Sequence, residues 1–317
     1  MKKTILSLGT MYVDINCIDF PLGKGLFPNR EVVGNSYQLD LGGSALNFSK
    51  NASSLGLDIH FIGKMGKDLM GDILISLLKQ NKITPRVMRD RAVQTNVAIH
   101  YIHHDGSSIM SSCGNANQSL SIEDIEKALL PYLGSIDFLY LGGVFKLKSI
   151  LPFLPKLAEK VKTHGAKVIL DHGRINNSVT VKDIASIYNL FPYVDIYLPS
   201  NEEFLALWES KVLEEGMRNL RKISQPITII KQSEVGATGF MADKVDTVKA
   251  YKVKSINTVG AGDSFNAGFI KAYINGMGFK ESMKYACATA AIKISNVGTV
   301  DPEKVTKLFE NDMGIFG

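Results

Sequence analysis

An α/β fold is predicted, with a central, mostly parallel sheet flanked by helices and a small separate β-sheet. Two observations predict it: short apolar runs alternate with helical patterns along most of the chain, and two stretches break that alternation. The runs Ile5–Leu8, Ile59–Ile62, Phe138–Leu141, Val168–Leu170, Ile196–Leu198 and Ile227–Ile230 read as strands covered on both faces. Helical patterns lie between them at about Ser44–Leu55, Met70–Asn81, Ile122–Leu133, Ser149–His164, Asn201–Trp208 and Val212–Ser224. The Ser121 to Asp124 spacing marks a capping box. Alternation of this kind implies right-handed crossovers and a parallel sheet, with ligands collecting beyond the carboxyl ends of the strands. The first exception, residues 11–40, is rich in Gly, Pro and Asn and holds the extended pieces Glu31-Val32-Val33 and Ser36–Leu39. The second, residues 94–112, carries Val97–Ile102 and a turn at His104-Asp105-Gly106. Together they are expected to form the small projecting sheet. From Lys280 onward the chain reads as helices, ending near Pro302–Asn311. There is no internal repeat and no long linker, so a single domain is expected over residues 1–317.

Bulk properties exclude several classes. An apolar fraction of 45% is ample for a sizeable core, and the net charge of +5 arises from 36 basic and 31 acidic residues that are scattered. Stretches such as Lys211 to Lys222 interleave both signs and read as a solvated helix face. A mild positive balance suits an anionic small molecule, but no basic stripe with interleaved aromatics points to nucleic acid. Cys17, Cys113 and Cys287 are odd in number and lack metal-ligand spacing, which fits a reducing cytosol. Met1-Lys2-Lys3 and the apolar residues after it faintly resemble a signal peptide, yet Asp14 interrupts early and a buried first strand is more economical. No segment is long enough to span a membrane.

The chemistry is signalled by Asn257-Thr258-Val259-Gly260-Ala261-Gly262-Asp263-Ser264-Phe265, followed by Phe265, Phe269 and Tyr273 at helical spacing. Glycines allow a tight turn that exposes several N–H groups at a helix N-terminus, a setting suited to phosphate. A carboxylate there repels such a ligand unless it has a task, and accepting a proton from an attacking hydroxyl is the obvious one. Phosphoryl transfer is therefore suggested; the plainer alternative is that Asp263 caps the helix. A second glycine turn, Leu41-Gly42-Gly43-Ser44-Ala45-Leu46-Asn47-Phe48, enters another helix and sets Asn47 one turn in, where its amide can reach a hydroxylated ligand or simply face solvent. Asp14, at the end of the first predicted strand, is either a ligand contact or a turn residue. Gly66-Lys67-Asp68 with Gly71 forms a third such turn.

In that order these motifs resemble the ribokinase-like (PfkB) family of carbohydrate and nucleoside kinases, and the resemblance spans nearly the whole chain. It implies a central α/β domain with a β-sheet lid at about 11–40 and 94–112, and transfer of the γ-phosphate of ATP to a hydroxymethyl group. Asp263 matches the family's catalytic base, and the backbone of Gly260, Ala261 and Gly262 matches its anion hole. Asp14, Gly42, Gly43 and Asn47 match positions that hold sugar hydroxyls. Glu203, in Pro199-Ser200-Asn201-Glu202-Glu203, matches the acid of an Asn-x-x-Glu motif in the magnesium and phosphate environment. Lys231, Ser233 and Gly236 lie where the family has a turn near the nucleotide, and Asn201 joins them as a candidate nucleotide contact.

The chain departs from the family pattern in places. Asn257 replaces an aspartate that often helps hold a monovalent cation, which argues against potassium activation. Ser200 stands for the asparagine of Asn-x-x-Glu, and Ser233 for a glycine of the nucleotide turn. No acid follows Gly142-Gly143, whereas Asp171-His172-Gly173-Arg174 places Arg174 either to bind an anion or to make a structural ion pair. His172 reads as a loop residue. A small sugar or sugar derivative is the expected acceptor, with a nucleoside as the rival; Met11, Tyr12, Phe27, Tyr37 and Tyr101 are candidates to clamp a base. A binding protein without catalysis is a third alternative. Exposed lid strands are edges that proteins tend to cover, so a lid-to-lid homodimer is expected.

Overall fold

The computed structural model describes residues 3–20, 31, 33–103, 108–256, 258–296 and 298–312. In chain order the strands are β1 (Thr4–Gly9), β2 (Tyr12–Ile18), β3 (Ser36–Gly42), β4 (Asp58–Gly66), β5 (Thr84–Asp90), β6 (Val97–Ile102), β7 (Ser108–Cys113), β8 (Phe138–Gly142), β9 (Lys167–Asp171), β10 (Ile196–Tyr197), β11 (Ile227–Lys231), β12 (Gly236–Met241) and β13 (Lys244–Lys249). The helices are α1 (Ser44–Ser54), α2 (Leu69–Gln80), α3 (Ile122–Leu129), α4 (Leu154–Thr163), α5 (Val181–Leu190), α6 (Asn201–Leu207), α7 (Leu213–Arg221), α8 (Ala261–Ile274), α9 (Phe279–Ile294) and α10 (Pro302–Asp312).

A nine-stranded sheet runs in the order β13-β12-β11-β10-β9-β8-β1-β4-β5. It is parallel from β11 through β5, and only β12 runs the other way, antiparallel to both β11 and β13. The first strand divides its side chains between two cores, as burial on both faces requires. Ile5 joins the core under α1, α8 and α9, whereas Leu6 and Leu8 join the core under α3 to α7. Ser7, on the Ile5 face, is buried and donates to the Ala45 carbonyl at 3.3 Å. Phe48 of α1 stacks on Tyr140 of β8 with ring centroids 3.6 Å apart, which locks α1 over the sheet centre. All six predicted strands and the six predicted helical stretches are present, and Ser121 makes the expected capping box with Asp124. No helix among the described residues is long and apolar enough to cross a membrane.

Four elements were not foreseen. The edge strand β5, Thr-Pro-Arg-Val-Met-Arg-Asp, is too polar to show as an apolar run, and it pairs with solvent on one edge. The glycine-containing β12 and the charged β13 form an edge hairpin that only tertiary context specifies. Helix α5 starts at a capping box made by Thr180 and Asp183. Two helices are also shorter than expected. Pro131 tightens the end of α3 into a 3₁₀ turn at Leu130–Tyr132, and another at Leu151–Phe153 precedes α4.

The second sheet is four-stranded, in the order β3-β2-β6-β7. It matches the expected small sheet, with β3 reaching Gly42 and β7 reaching Cys113. Glu31 and Val33 lie outside any strand, and Val32 lies outside the described residues. The turn expected at His104-Asp105-Gly106 is likewise outside them, although β6 and β7 pair antiparallel across it, Ile102 opposite Ser108. Asp14 is not at the end of the first strand: β1 stops at Gly9 and the chain re-enters the small sheet as β2, whose third residue is Asp14.

Candidate active site

The carboxyl ends of β1, β8, β9 and β11 place Gly9, Gly142, Asp171 and Lys231 along one side of the large sheet. Two helices start above them. The N-cap of α1 is Gly43 at φ 96° and that of α8 is Gly260 at φ 77°, both left-handed, and neither helix has a side-chain cap. Elsewhere Asp68, Ser121, Thr180 and Ser200 cap their helices by accepting backbone N–H bonds. Glycine is enforced at Gly43 twice over, since a Cβ there would also lie 2.4 Å from the Thr10 carbonyl oxygen. An uncapped N-terminus leaves donors and partial positive charge for a ligand. In α8 the first intrahelical bond is Ser264 N–H to Gly260 O at 2.9 Å, while Ala261 N–H donates to the Thr258 carbonyl at 3.2 Å.

Asp263 sits in the first turn of α8 and accepts a 2.7 Å bond from Ser44 Oγ at the start of α1. Burial and the charge of Asp171 push its carboxyl up to about 7, against the bonds from Ser44 and Asn47 and the charge of Lys231. The structure thus joins the two glycine motifs, with Asp263 and Asn47 in one place. Ser44 lay inside a motif but carried no assigned role in the sequence; only the fold reveals that it orients Asp263.

Beneath the start of α8 lies a buried polar network. Lys231 Nζ donates to Asp171 Oδ2 at 2.9 Å and to Asn266 Oδ1 at 3.2 Å; Asn266 Nδ2 donates to Asp171 Oδ2 at 2.6 Å and to the Tyr140 hydroxyl at 3.2 Å. Burial alone would raise the Asp171 carboxyl, but the Lys231 ammonium holds it below the usual carboxylate range. Lys231 Nζ is also 3.5 Å from where a Cβ on Gly262 would stand, so the ammonium faces the glycine turn from below. His172 lies in the loop after β9, as expected, but fully buried there, with its ring nitrogens 2.6 Å from Gly173 O and 2.8 Å from the Tyr197 hydroxyl. Asn266 was missed because a lone helical asparagine carries no signal.

Lys231 therefore separates from Ser233 and Gly236, its expected companions in a turn. Ser233 is exposed at φ 51°, and Gly236, at φ 121°, is fixed by the next strand: a Cβ would lie 2.0 Å from Val248 O. Asn201 opens α6, and Glu203 closes its capping box, accepting from Ser200 N–H through Oε2 at 2.8 Å. Its charge reaches Lys231 and His172. Among the described residues no group of three or more His, Cys, Asp or Glu could hold a metal ion.

On the other side of Asn47, the Asp14 carboxylate lies flat on Gly42, where a Cβ would come within 1.7 Å of its Oδ1. Buried His100 brings Nε2 to 3.3 Å from Asp14 Oδ2. Lys146 Nζ stands 5.4 Å from the Tyr12 ring centroid; burial and the charge of Arg174 lower its pKa, and Asp14 opposes this. Arg174 makes no ion pair with any described residue. Of the expected base-clamping residues, Met11 is buried against Gly63, Tyr101 packs on Phe20 at 4.7 Å and Tyr37 is exposed on β3. Tyr12 is buried beneath Lys146, and Phe27 lies outside the described residues, as does Asn257.

Comparison with known proteins gives the family. The chain is 28% identical over 324 residues to a 5-dehydro-2-deoxygluconokinase of Halalkalibacterium halodurans, covering 97% of this chain and 95% of the relative. It is 25% identical over 304 residues to a ribokinase of Haemophilus influenzae, covering 94% of each. A putative Ribokinase II from E. coli in complex with ATP and Mg2+ shares the fold at TM-score 0.83 and 19% identity, covering 99% of this chain and 100% of that one. The model of the pfkB family carbohydrate kinases matches residues 2–306. The chain belongs to the pfkB carbohydrate kinase family and is a phosphotransferase with an alcohol group as acceptor.

Proposed function

We propose that the chain transfers the γ-phosphate of ATP to the hydroxymethyl group of a small sugar or sugar derivative, with Asp263 as general base and an anion hole at Gly260–Gly262. The observation that carries this reading is the position of Asp263. Its carboxyl, pushed up to about 7, lies between Ser44 and Asn47 of one uncapped helix start and the backbone donors of another. A base with a pKa near neutrality is matched to taking a proton from an alcohol.

The residues present fit the implied MgATP. Two glycine-capped helix starts offer backbone donors, and buried Lys231 supplies positive charge beneath Gly262. When bound, MgATP supplies the phosphoryl group and part of the charge neutralisation. Magnesium keeps most of its waters in such sites, which suits a chain with no dedicated carboxylate cage among the described residues, and Glu203 would hold it through them. The Gly260-Ala261-Gly262 turn offers backbone N–H groups to the phosphoryl oxygens, that of Ala261 being released from the Thr258 carbonyl to join them, and the nucleotide lies along Asn201, Ser233 and Gly236. Asp14, Gly42, Gly43 and Asn47 orient the acceptor so that its hydroxyl meets Asp263. The small sheet of β3, β2, β6 and β7 closes over the acceptor as a lid and excludes water that would hydrolyse ATP. Exposed Tyr37 and Leu39 on β3 and Ile109 on β7, which the strand register puts on one face of the small sheet, supply the apolar face of a lid-to-lid homodimer.

The acceptor is a sugar rather than a nucleoside. Met11 and Tyr101, expected to clamp a base, are engaged elsewhere, and the two relatives are named as sugar kinases. Lys146 and Arg174 near Asp14 favour a sugar that carries an anionic group. A coupled assay of neutral sugars, sugar acids and nucleosides with ATP and magnesium, with and without potassium, tests this. Turnover of sugars, highest for an acid and indifferent to potassium, is expected. Turnover of nucleosides alone refutes the acceptor class, and tight ATP binding with no phosphorylated product refutes catalysis.

A further inference from the structure

The last turn of α9 puts a buried cation where the proposed reaction concentrates negative charge. Lys293 is 8% exposed, and its Nζ donates to the carbonyl of Gly298, beyond the helix end, at 2.9 Å. Its Cε lies 3.6 Å from the position a Cβ on Gly260 would occupy, and Asn47 Cγ is 3.8 Å from the same point. The ammonium stem is therefore wedged between the glycine turn of α8 and the site face of α1. It makes no ion pair with any described residue. Lys50 of α1, also buried, is already paired with Asp40 at 2.6 Å. Burying an ammonium without a carboxylate partner is costly unless something nearby repays it. The groups facing it are Lys50, Asp40 and Asp263; burial and Lys50 weaken its hold on the proton, and Asp40 and Asp263 strengthen it.

We infer that Lys293 is a positioning residue whose tethered ammonium acts through the Gly260 turn, supplying beneath the anion hole the charge that a bound monovalent cation would otherwise have to bring. The proposal rests on the kinase reading above and goes beyond it by assigning the origin of that charge. An ammonium fixed by Gly298 O and packed against Gly260 holds the turn in its left-handed form and raises the positive potential at its N–H groups. The competing role is a plain helix end-cap, because lysines in a last turn often bond to terminal carbonyls. The two differ in what a small diffusible cation can repair. Truncation to alanine opens a space lined by a carbonyl oxygen and close to Asp263, which suits potassium, ammonium or methylammonium.

The test uses the full chain as wild type, Lys293→Ala, Lys293→Met and Lys293→Arg. MgATP affinity is measured by calorimetry and turnover on the best acceptor of the panel, each in sodium-only buffer and with added potassium, ammonium or methylammonium. Expected are a wild type indifferent to these ions and a loss of roughly 10²-fold in kcat for the alanine and methionine variants, with acceptor KM little changed. Added cations should recover much of the loss in Lys293→Ala, less in Lys293→Met, where the methionine fills the space, and Lys293→Arg should retain most activity. Unchanged kcat and MgATP affinity in Lys293→Ala overturn the proposal. So does a loss that no cation repairs and that tracks a fall in thermal stability, the outcome of an end-cap alone. A wild type strongly activated by potassium overturns it as well. A wild type that binds no MgATP fails the kinase reading itself, whereas one that binds MgATP without a known acceptor still decides the inference through calorimetry.

Discussion

Asp263→Asn should lose catalysis and gain stability, in amounts that the site geometry connects. Asparagine keeps the shape and can still accept the Ser44 bond made at 2.7 Å, so the lesion is confined to the charge and the proton. Removing a general base of this kind typically costs ~10²–10⁴-fold in rate. The stability gain comes from the same carboxyl. In the folded protein it titrates at about 7, against 3.8 for the unperturbed group, a rise of about three pH units. At about 1.36 kcal/mol per unit this is about 4 kcal/mol, or roughly 2–4 kcal/mol after solvent screening of a half-buried group.

The direction follows from proton counts. Below the unfolded pKa both states hold the proton and nothing is lost. Between about 4 and 7 the folded state keeps a proton that the unfolded state has released, so wild-type stability falls as pH rises, and above 7 the loss is complete. The asparagine variant has no such titration. Urea unfolding of both proteins at a series of pH values should therefore give curves that coincide near pH 4 and separate to the full difference by about pH 8, the variant being more stable. Steady-state kinetics on the same preparations reads the rate loss, with MgATP binding retained. An unchanged kcat, or a stability gap that does not vary with pH, would refute the reasoning.

Ser44→Ala removes a bond that favours the ionised Asp263, so the acid limb of the kcat/KM profile should move to higher pH; a limb that stays put means the bond does not tune the base. Gly42→Ala drives a methyl into the space of Asp14 Oδ1 and should raise the acceptor KM about 10–100-fold, the worth of a hydrogen bond to a charged group, while the ATP KM holds. Equal effects on both KM values would remove Asp14 from the acceptor pocket. Tyr37→Lys with Ile109→Lys, on exposed positions of β3 and β7 that share one face, should convert a dimer to monomers in sedimentation velocity without unfolding; a wild type already monomeric at assay concentrations refutes the lid interface.

Some of this site is legible in sequence because backbone geometry leaves few choices. Gly43 and Gly260 occupy left-handed N-caps that a side chain would strain, and Gly42 yields its Cβ space to Asp14. Such demands are local, so short strings expose them. Ser44 and Lys293 are different. The Ser44–Asp263 bond joins residues 219 apart in sequence, and Lys293 meets Gly260 only because α9 packs on α8. Lys231 was grouped with Ser233 and Gly236 in a turn near the nucleotide, yet it ends β11 and its side chain turns inward to Asp171. In the fold, apolar periodicity identified the central strands, whose two faces are both covered. It passed over β5, β12 and β13, where one edge or face meets solvent and the residues alternate or carry charge.

The arrangement also explains how an acid survives beside a phosphate site. Asp171 is held ionised by Lys231 and carries a permanent negative charge under the turn. Burial, and then that charge, raise Asp263, so in the free protein near neutral pH the base is only partly ionised and the cost of its burial is reduced. Binding of an anion would raise Asp263 further and spoil it as a base unless positive charge arrives with the ligand. Lys231 and Lys293 approach the turn from two sides, and magnesium would come with the nucleotide. Each offsets part of that repulsion and pulls the Asp263 pKa back down. On this account the acid limb should move to lower pH in kcat, which reports the ternary complex, than for the same carboxyl titrated in the free protein. A kcat limb displaced to higher pH than the free-protein titration would mean that these cations neutralise the phosphates without reaching the base.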